Sequence, residues 1–167
     1  MTLMIVQAET QAQIAHARTL FQEYGDSLGF SLCFQSFEQE LAGLPGDYAP
    51  PSGRLLLAYS GGKAAGCVAL HRFAEGAAEM KRLYVRPEFR GMHIGQQLME
   101  RVIAEARLIG YCTLRLDTIP SIMGKAVELY RSYGFHEIEP YRVNPISGAL
   151  YMELSLKETM TDEMGSR

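Results

Sequence analysis

The residues best placed to do chemistry sit in one short run, Arg90-Gly91-Met92-His93-Ile94-Gly95, set between two differently patterned stretches. Before it, apolar residues at Met80, Leu83 and Val85 mark a partly buried strand that Pro87 brings to an end. After it, Ile94, Leu98, Met99, Val102, Ile103 and Ala106 recur at helical spacing. Strand, tight basic turn and helix together make an anion site. The first amides of a helix have no internal partner and lie at the positive end of its dipole, where a phosphate is well held. Glycines at 91 and 95 admit a close approach to the backbone, and Arg90 adds a charged donor. The spacing fits neither the GxxxxGK[ST] phosphate loop nor the GxGxxG dinucleotide turn.

The elements around this turn read as follows. Residues 3–8 form a strand, and a helix with Thr10 as N-cap carries Ile14, Ala17, Leu20, Phe21 and Tyr24 on one face. Phe30, Leu32, Phe34 and Phe37 cluster before a short helix at about 36–43, a cluster that either packs the core or walls an acceptor pocket. Strands at 54–60 and 65–71 flank the hairpin signal Gly61-Gly62, and the central strand covers about 78–85. A helix at 94–108 stops at Gly110, a strand follows at 111–117 until Pro120, and a helix at 123–133 stops at Gly134. Strands at 136–138 and 149–156 complete an α+β order with one parallel crossover, and a polar tail follows from residue 157.

The 167 residues suit one domain with a real core. No apolar run approaches the roughly 20 residues that cross a membrane, and no signal peptide is evident. A net charge of −3 without a basic block argues against nucleic acid as partner. Cys33, Cys67 and Cys112 are odd in number and widely spaced, which fits neither a zinc pattern nor a disulfide framework and points to a reducing cytoplasm. The four histidines show no ligand or triad spacing, so no metal is expected.

With Arg90, His93 and Gly95 standing at the positions of [RQ]-x-x-G-x-[GA], the turn resembles the acetyl-CoA motif of the GCN5-related N-acetyltransferase (GNAT) family. His93 departs from the family's glycine, but only its amide would be asked to bind phosphate, and histidine tolerates unusual backbone angles. The flanking Leu83-Tyr84-Val85-x-Pro87 and the run LYRSYGF at 129–135 extend the likeness, which covers about residues 4–156. The resemblance implies a mostly antiparallel sheet of about seven strands, about four helices, and a splayed strand pair that forms the cofactor cleft. It implies acetyl-CoA as cofactor, with the amides of Gly91, Met92, His93, Ile94, Gly95 and Gln96 on the pyrophosphate and the backbone around Leu83, Tyr84 and Val85 along the pantetheine arm.

The same resemblance places a general base at Glu79 and a general acid at Tyr130. A carboxylate partly desolvated on an apolar strand has a raised pKa, which suits deprotonation through a water. The structural alternative for Glu79 is an ion pair with Lys81 or an arginine, and for Tyr130 a core aromatic. Asp117, Tyr141, Asn144 and Phe34 are the candidates to read the acceptor, against a helix-cap or turn role for Asp117, an ordinary loop role for Tyr141 and Asn144, and core packing for Phe34. Met123 replaces an asparagine frequent in the family, removing one cofactor contact. The implied reaction is direct acetyl transfer to a primary amine of a small molecule or an amino-acid or peptide acceptor. A coenzyme A-binding sensor without turnover and a transferase of longer acyl groups are the alternatives. The terminal strands offer a homodimer contact.

Overall fold

The computed structural model describes residues 2–28, 36–142 and 148–157. Its framework is a seven-stranded sheet in the order β1-β2-β3-β4-β5-β7-β6. The strands are β1 (Leu3–Gln7), β2 (Arg54–Ser60), β3 (Lys63–Ala74), β4 (Ala77–Val85), β5 (Thr113–Thr118), β6 (His136–Ile138) and β7 (Leu150–Ser155). All neighbours are antiparallel except β4 and β5. Helices α1 (Gln11–Ser27) and α2 (Phe37–Ala42) pack on one face, and α3 (Ile94–Ile109) and α4 (Pro120–Ser132) contribute to the core on the other. This is the α+β arrangement the sequence predicts.

Local chemistry explains the element boundaries. Thr10 and Gln13 close a reciprocal capping box at the start of α1. The six apolar residues that suggested α3 are all buried, and the helix stops where Gly110 turns left-handed at φ 109° and Tyr111 N donates back to Ala106 O at 3.1 Å. One boundary is corrected. Pro120 starts α4 instead of merely closing the preceding strand, because a residue without an amide hydrogen and with φ fixed near helical values suits the first helical position. β3 is longer than its apolar run, since it pairs with β2 and β4 over most of its length. β7 lies between β5 and β6, so of the two terminal strands only β1 is at a sheet edge.

The irregularity that matters is in β4. Cys67 pairs with Tyr84 and Ala69 with Lys81, so the single residue Val68 faces both Arg82 and Leu83. This is a β-bulge, and Arg82 adopts a left-handed φ of 63° there. The bulge shifts the strand's alternation. Ala78 and Met80 face the α3 side before it, and Leu83 and Val85 do so after it. A bulky residue in that conformation costs about 1–3 kcal/mol. The side chain is held from several directions: two hydrogen bonds to Glu40 at 2.9 and 2.7 Å, and the rings of Phe37 and Tyr24 at 5.1 and 5.9 Å.

Because the Arg82 side chain is only 2% exposed, removing its partner strands a buried charge. Glu40→Ala is expected to lower unfolding free energy by about 3 kcal/mol, measured by urea denaturation. The double variant Glu40→Leu with Arg82→Met should recover most of that loss. Equal loss in both variants would show that the ion pair is not what holds the bulge.

Candidate functional site

Two features of β4 and its surroundings create the site: an early parting from β5 and an uncapped helix at its end. The parallel pairing with β5 covers only Ala77, Ala78 and Glu79. Beyond Glu79, β4 runs on to Val85 and β5 to Thr118 with no register between them. Backbone groups along the parted edges need other partners. This is the splayed pair that the family resemblance implies.

At the far end of β4 the chain makes a short 3₁₀ turn through Pro87 and enters the basic turn. Gly91 has a φ of 86° and His93 one of 62°, so the histidine takes the left-handed conformation for which glycine is usual. Among the described residues no side chain caps α3, and the first bond of the helix runs from Gln97 N to His93 O at 3.1 Å. The amides before it are left available to an anion. A Cβ on Gly91 would meet nothing, so that glycine serves its backbone angle. A Cβ on Gly95 would make only an ordinary 3.6 Å contact with Val85. The protein's own packing therefore does not require glycine at 95, and its absence of a side chain leaves the first turn bare for a phosphate. The Arg90 guanidinium donates to Val85 O at 2.9 Å and lies 5.9 Å from the Tyr84 ring. Leu83 and Val85 lean on the α3 core, and Tyr84 packs on the opposite side, its hydroxyl 3.3 Å from Glu23. Met92 and Gln96 are exposed and Ile94 is buried.

Glu79 is the hub of the other half of the site. Its carboxylate is fully buried. His71 lies 2.8 Å away through Nε2, Tyr141 donates its hydroxyl at 2.9 Å, and one Arg142 nitrogen reaches both oxygens, at 2.7 and 2.6 Å. A carboxylate offers about four lone-pair positions, and these contacts occupy them. The expectation of a raised pKa is corrected. Burial is the largest influence and pushes the carboxyl up, but the bonds from His71 and Arg142 and the charge of Lys81 outweigh it and bring the group down to about 2. The arginine partner of Glu79 is Arg142, 63 residues away in sequence. No sequence periodicity announces that pairing.

Arg142 also draws Asp117 into the group, with Nη1 3.6 Å from its carboxylate. Tyr141 is packed edge-on against Phe73 and Tyr151, with ring centroids 4.8 and 5.1 Å away. Tyr130 is buried on α4, tilted against Phe135 at 5.8 Å. Burial pushes its phenol well above the ordinary value, and Tyr24 and Asp117 add to the effect. Of the residues predicted from sequence, Glu79, Asp117 and Tyr141 come together, and Tyr130 lies within electrostatic reach of Asp117. Phe34 and Asn144 lie outside the described residues. Sequence reasoning missed His71, Arg82, Arg142 and Tyr24, and it weighs Lys81 only as an ion-pair partner of Glu79. A signal existed for Arg82 alone, in the three-residue step from Met80 to Leu83 where a regular strand would step by two. Among the described residues no cluster suits a metal ion.

The depressed Glu79 pKa has a consequence for stability. A carboxyl whose folded value lies below its unfolded one stabilises the fold above the unfolded pKa, near 4.5, and loses that contribution as pH falls toward 2. Glu79→Gln should therefore cost about 3 kcal/mol at pH 7 and much less near pH 2, read from urea midpoints at both pH values. A cost that does not shrink with acid would remove the charge from the explanation.

Similarity to known proteins agrees with this geometry. A family model described as an acetyltransferase (GNAT) domain matches residues 51–137, just over half of the chain. An uncharacterized N-acetyltransferase of Schizosaccharomyces pombe is 43% identical over 143 residues, covering 84% of this chain and 87% of its own. An acetyltransferase of the GNAT family from Staphylococcus aureus Mu50 shares the fold with a TM-score of 0.77 at 18% identity, over 93% of this chain and 100% of its own. A putative acetyltransferase from Salmonella typhimurium, solved with its cofactor acetyl-CoA, aligns with a TM-score of 0.65 at 18% identity, over 93% and 95% of the two chains. The matched domain contains both the parting of β4 from β5 and the uncapped start of α3, and the chain belongs to the GNAT acetyltransferase family.

Proposed function

We propose that the protein transfers the acetyl group of acetyl-CoA directly to a primary amine, of a small molecule or of an amino-acid or peptide acceptor, with both bound at once. The observation that carries this reading is the uncapped N-terminus of α3 behind the left-handed Gly91–His93 turn, at the end of the parted strand β4. Acetyl-CoA is named with the Salmonella typhimurium structure of the same fold, and it supplies the thioester that the amine attacks. The amides of residues 91–96, with Arg90, are suited to its phosphates. The open edge of β4 around Leu83 and Val85 is suited to its amide-bearing arm. Tyr130, kept protonated by burial, has a proton to give to the departing thiolate.

Glu79 enters this scheme under a condition. Its lone pairs are occupied, so it accepts a proton only after a donor leaves. An incoming ammonium is itself a donor and can exchange with Tyr141 or Arg142. Burial, the strongest influence on the carboxyl, then raises its pKa and makes it a useful base. The same saturation also favours a second reading, a coenzyme A-binding protein that does not turn over.

Calorimetry with acetyl-CoA, with ATP and NAD as controls, tests the first step, and thiol release with a panel of amines tests the second. Binding of acetyl-CoA alone, followed by amine-dependent release, is the expected result. Tyr130→Phe should keep acetyl-CoA affinity while kcat falls about a hundredfold or more. Binding without release for any amine would favour the sensor, and absence of binding would remove both readings.

A further inference from the structure

A cavity of about 370 Å³ opens on the α1 and α2 side of the sheet, at the small end of the size range that holds small ligands. Its wall includes Gln39, Glu40, Asp47, Tyr48, His71 and Lys81. His71 joins this cavity directly to the site, since its Nε2 lies on Glu79. Lys81 follows Glu79 by two positions on β4, so the two side chains leave the same face of the sheet about 7 Å apart.

The charges of the wall are unequally provided for. Glu40 engages Arg82 through both carboxylate oxygens. Glu79, buried behind the His71 of the wall, is neutralised by Arg142. Asp47 is exposed at the rim. Lys81 is half-buried and makes no hydrogen bond or ion pair with any described residue. Burial above all, with the nearby Arg82 and Arg142, brings its ammonium down to about 8, and Glu79 and Glu40 only partly offset them. A desolvated cation with no hydrogen bond or ion pair among the described residues, facing a cavity of ligand size, is a group suited to bind an anion.

We infer that the acceptor amine also bears a carboxylate, as an amino acid does, and that Lys81 selects it by pairing with that carboxylate inside the cavity. The inference rests on the acetyl-transfer reading and sharpens it. Glu79, reached past His71, receives the ammonium end and Lys81 the carboxylate end, on two neighbouring positions of the same face of one strand. Such a pairing also carries a pH signature. Lys81 must be charged to hold a carboxylate, so KM for the acceptor rises as pH passes about 8, in a region where Glu79, Glu40, Arg82 and Arg142 hold their charges. Tyr48 and Tyr141, which also face this region, stay protonated there because burial pushes both phenols upward.

The test uses the full chain with saturating acetyl-CoA and a panel of L-amino acids, each paired with its carboxamide. For every amino acid accepted, kcat/KM should exceed that of its carboxamide by roughly ten- to hundredfold. Lys81→Met should erase the ratio through KM for the carboxylate, and Lys81→Arg should keep most of it. Folding is monitored by thermal melting, where Lys81→Met should match or exceed the parent, because it removes a charge that burial disfavours more than its neighbours favour it. Equal use of the two forms by the parent protein, or discrimination retained in Lys81→Met, would overturn the inference. If no member of the panel releases thiol, calorimetry of the same amino acids separates the two ideas. Binding to the parent that Lys81→Met abolishes supports the Lys81 site while the transfer reading fails, and no binding to the parent overturns the site itself.

Discussion

Much of this molecule depends on how one arginine is held in the middle of a central strand. Arg82 has a left-handed backbone where a regular strand allows none, and its guanidinium is buried among Glu40, Phe37 and Tyr24. Neither half of that arrangement is stable alone. The bulge costs conformational energy, and a buried guanidinium without a carboxylate costs more. Together they tie α2 to β4 and hold the strand's change of alternation in place. Cys67 adds a thiol donor to the Arg82 carbonyl at 3.3 Å, so the peptide is held on its other side as well.

The change of alternation decides which residues can meet. Without it, Lys81 and Leu83 would share a face, and Arg82 would point into the apolar core that Met80 enters. With it, Lys81 and Arg82 both turn toward α2, and Leu83 and Val85 return to the α3 core. Polar groups thereby gather on one side of β4 while the other stays apolar. The cost of gathering them is offset pair by pair: Glu40 with Arg82, Glu79 with Arg142 and His71, Glu23 with Arg86. Lys81 stands outside this pairing.

The fold was largely legible in the sequence because its signals are local. The Thr10 and Gln13 box, the glycine stops at 110 and 134, and the apolar spacing of α3 each act within a few residues. The turn that leads into α3 was legible for the same reason. His93 is instructive here, because the sequence shows a departure from glycine while the backbone keeps the angle a glycine would take. The electrostatics of Glu79 were not legible. A glutamate in an apolar strand implies a raised pKa until donors are known, and its donors come from positions 71, 141 and 142, brought together by topology. Pro120 was misread for a related reason, since the same ring that ends a strand also begins a helix.

The saturation of Glu79 bears on how such a site can be specific. A carboxylate whose lone pairs are all filled is inert toward water and toward weak donors, which gain nothing by displacing an arginine. A strong donor with a second attachment point is different, because the second contact supplies what the exchange costs. Lys81, two residues along the same face, is placed to provide that contact. On the proposed reading the ion pair with Arg142 would act as a threshold, opening Glu79 to a ligand that carries both charges and keeping it closed to an amine that carries one.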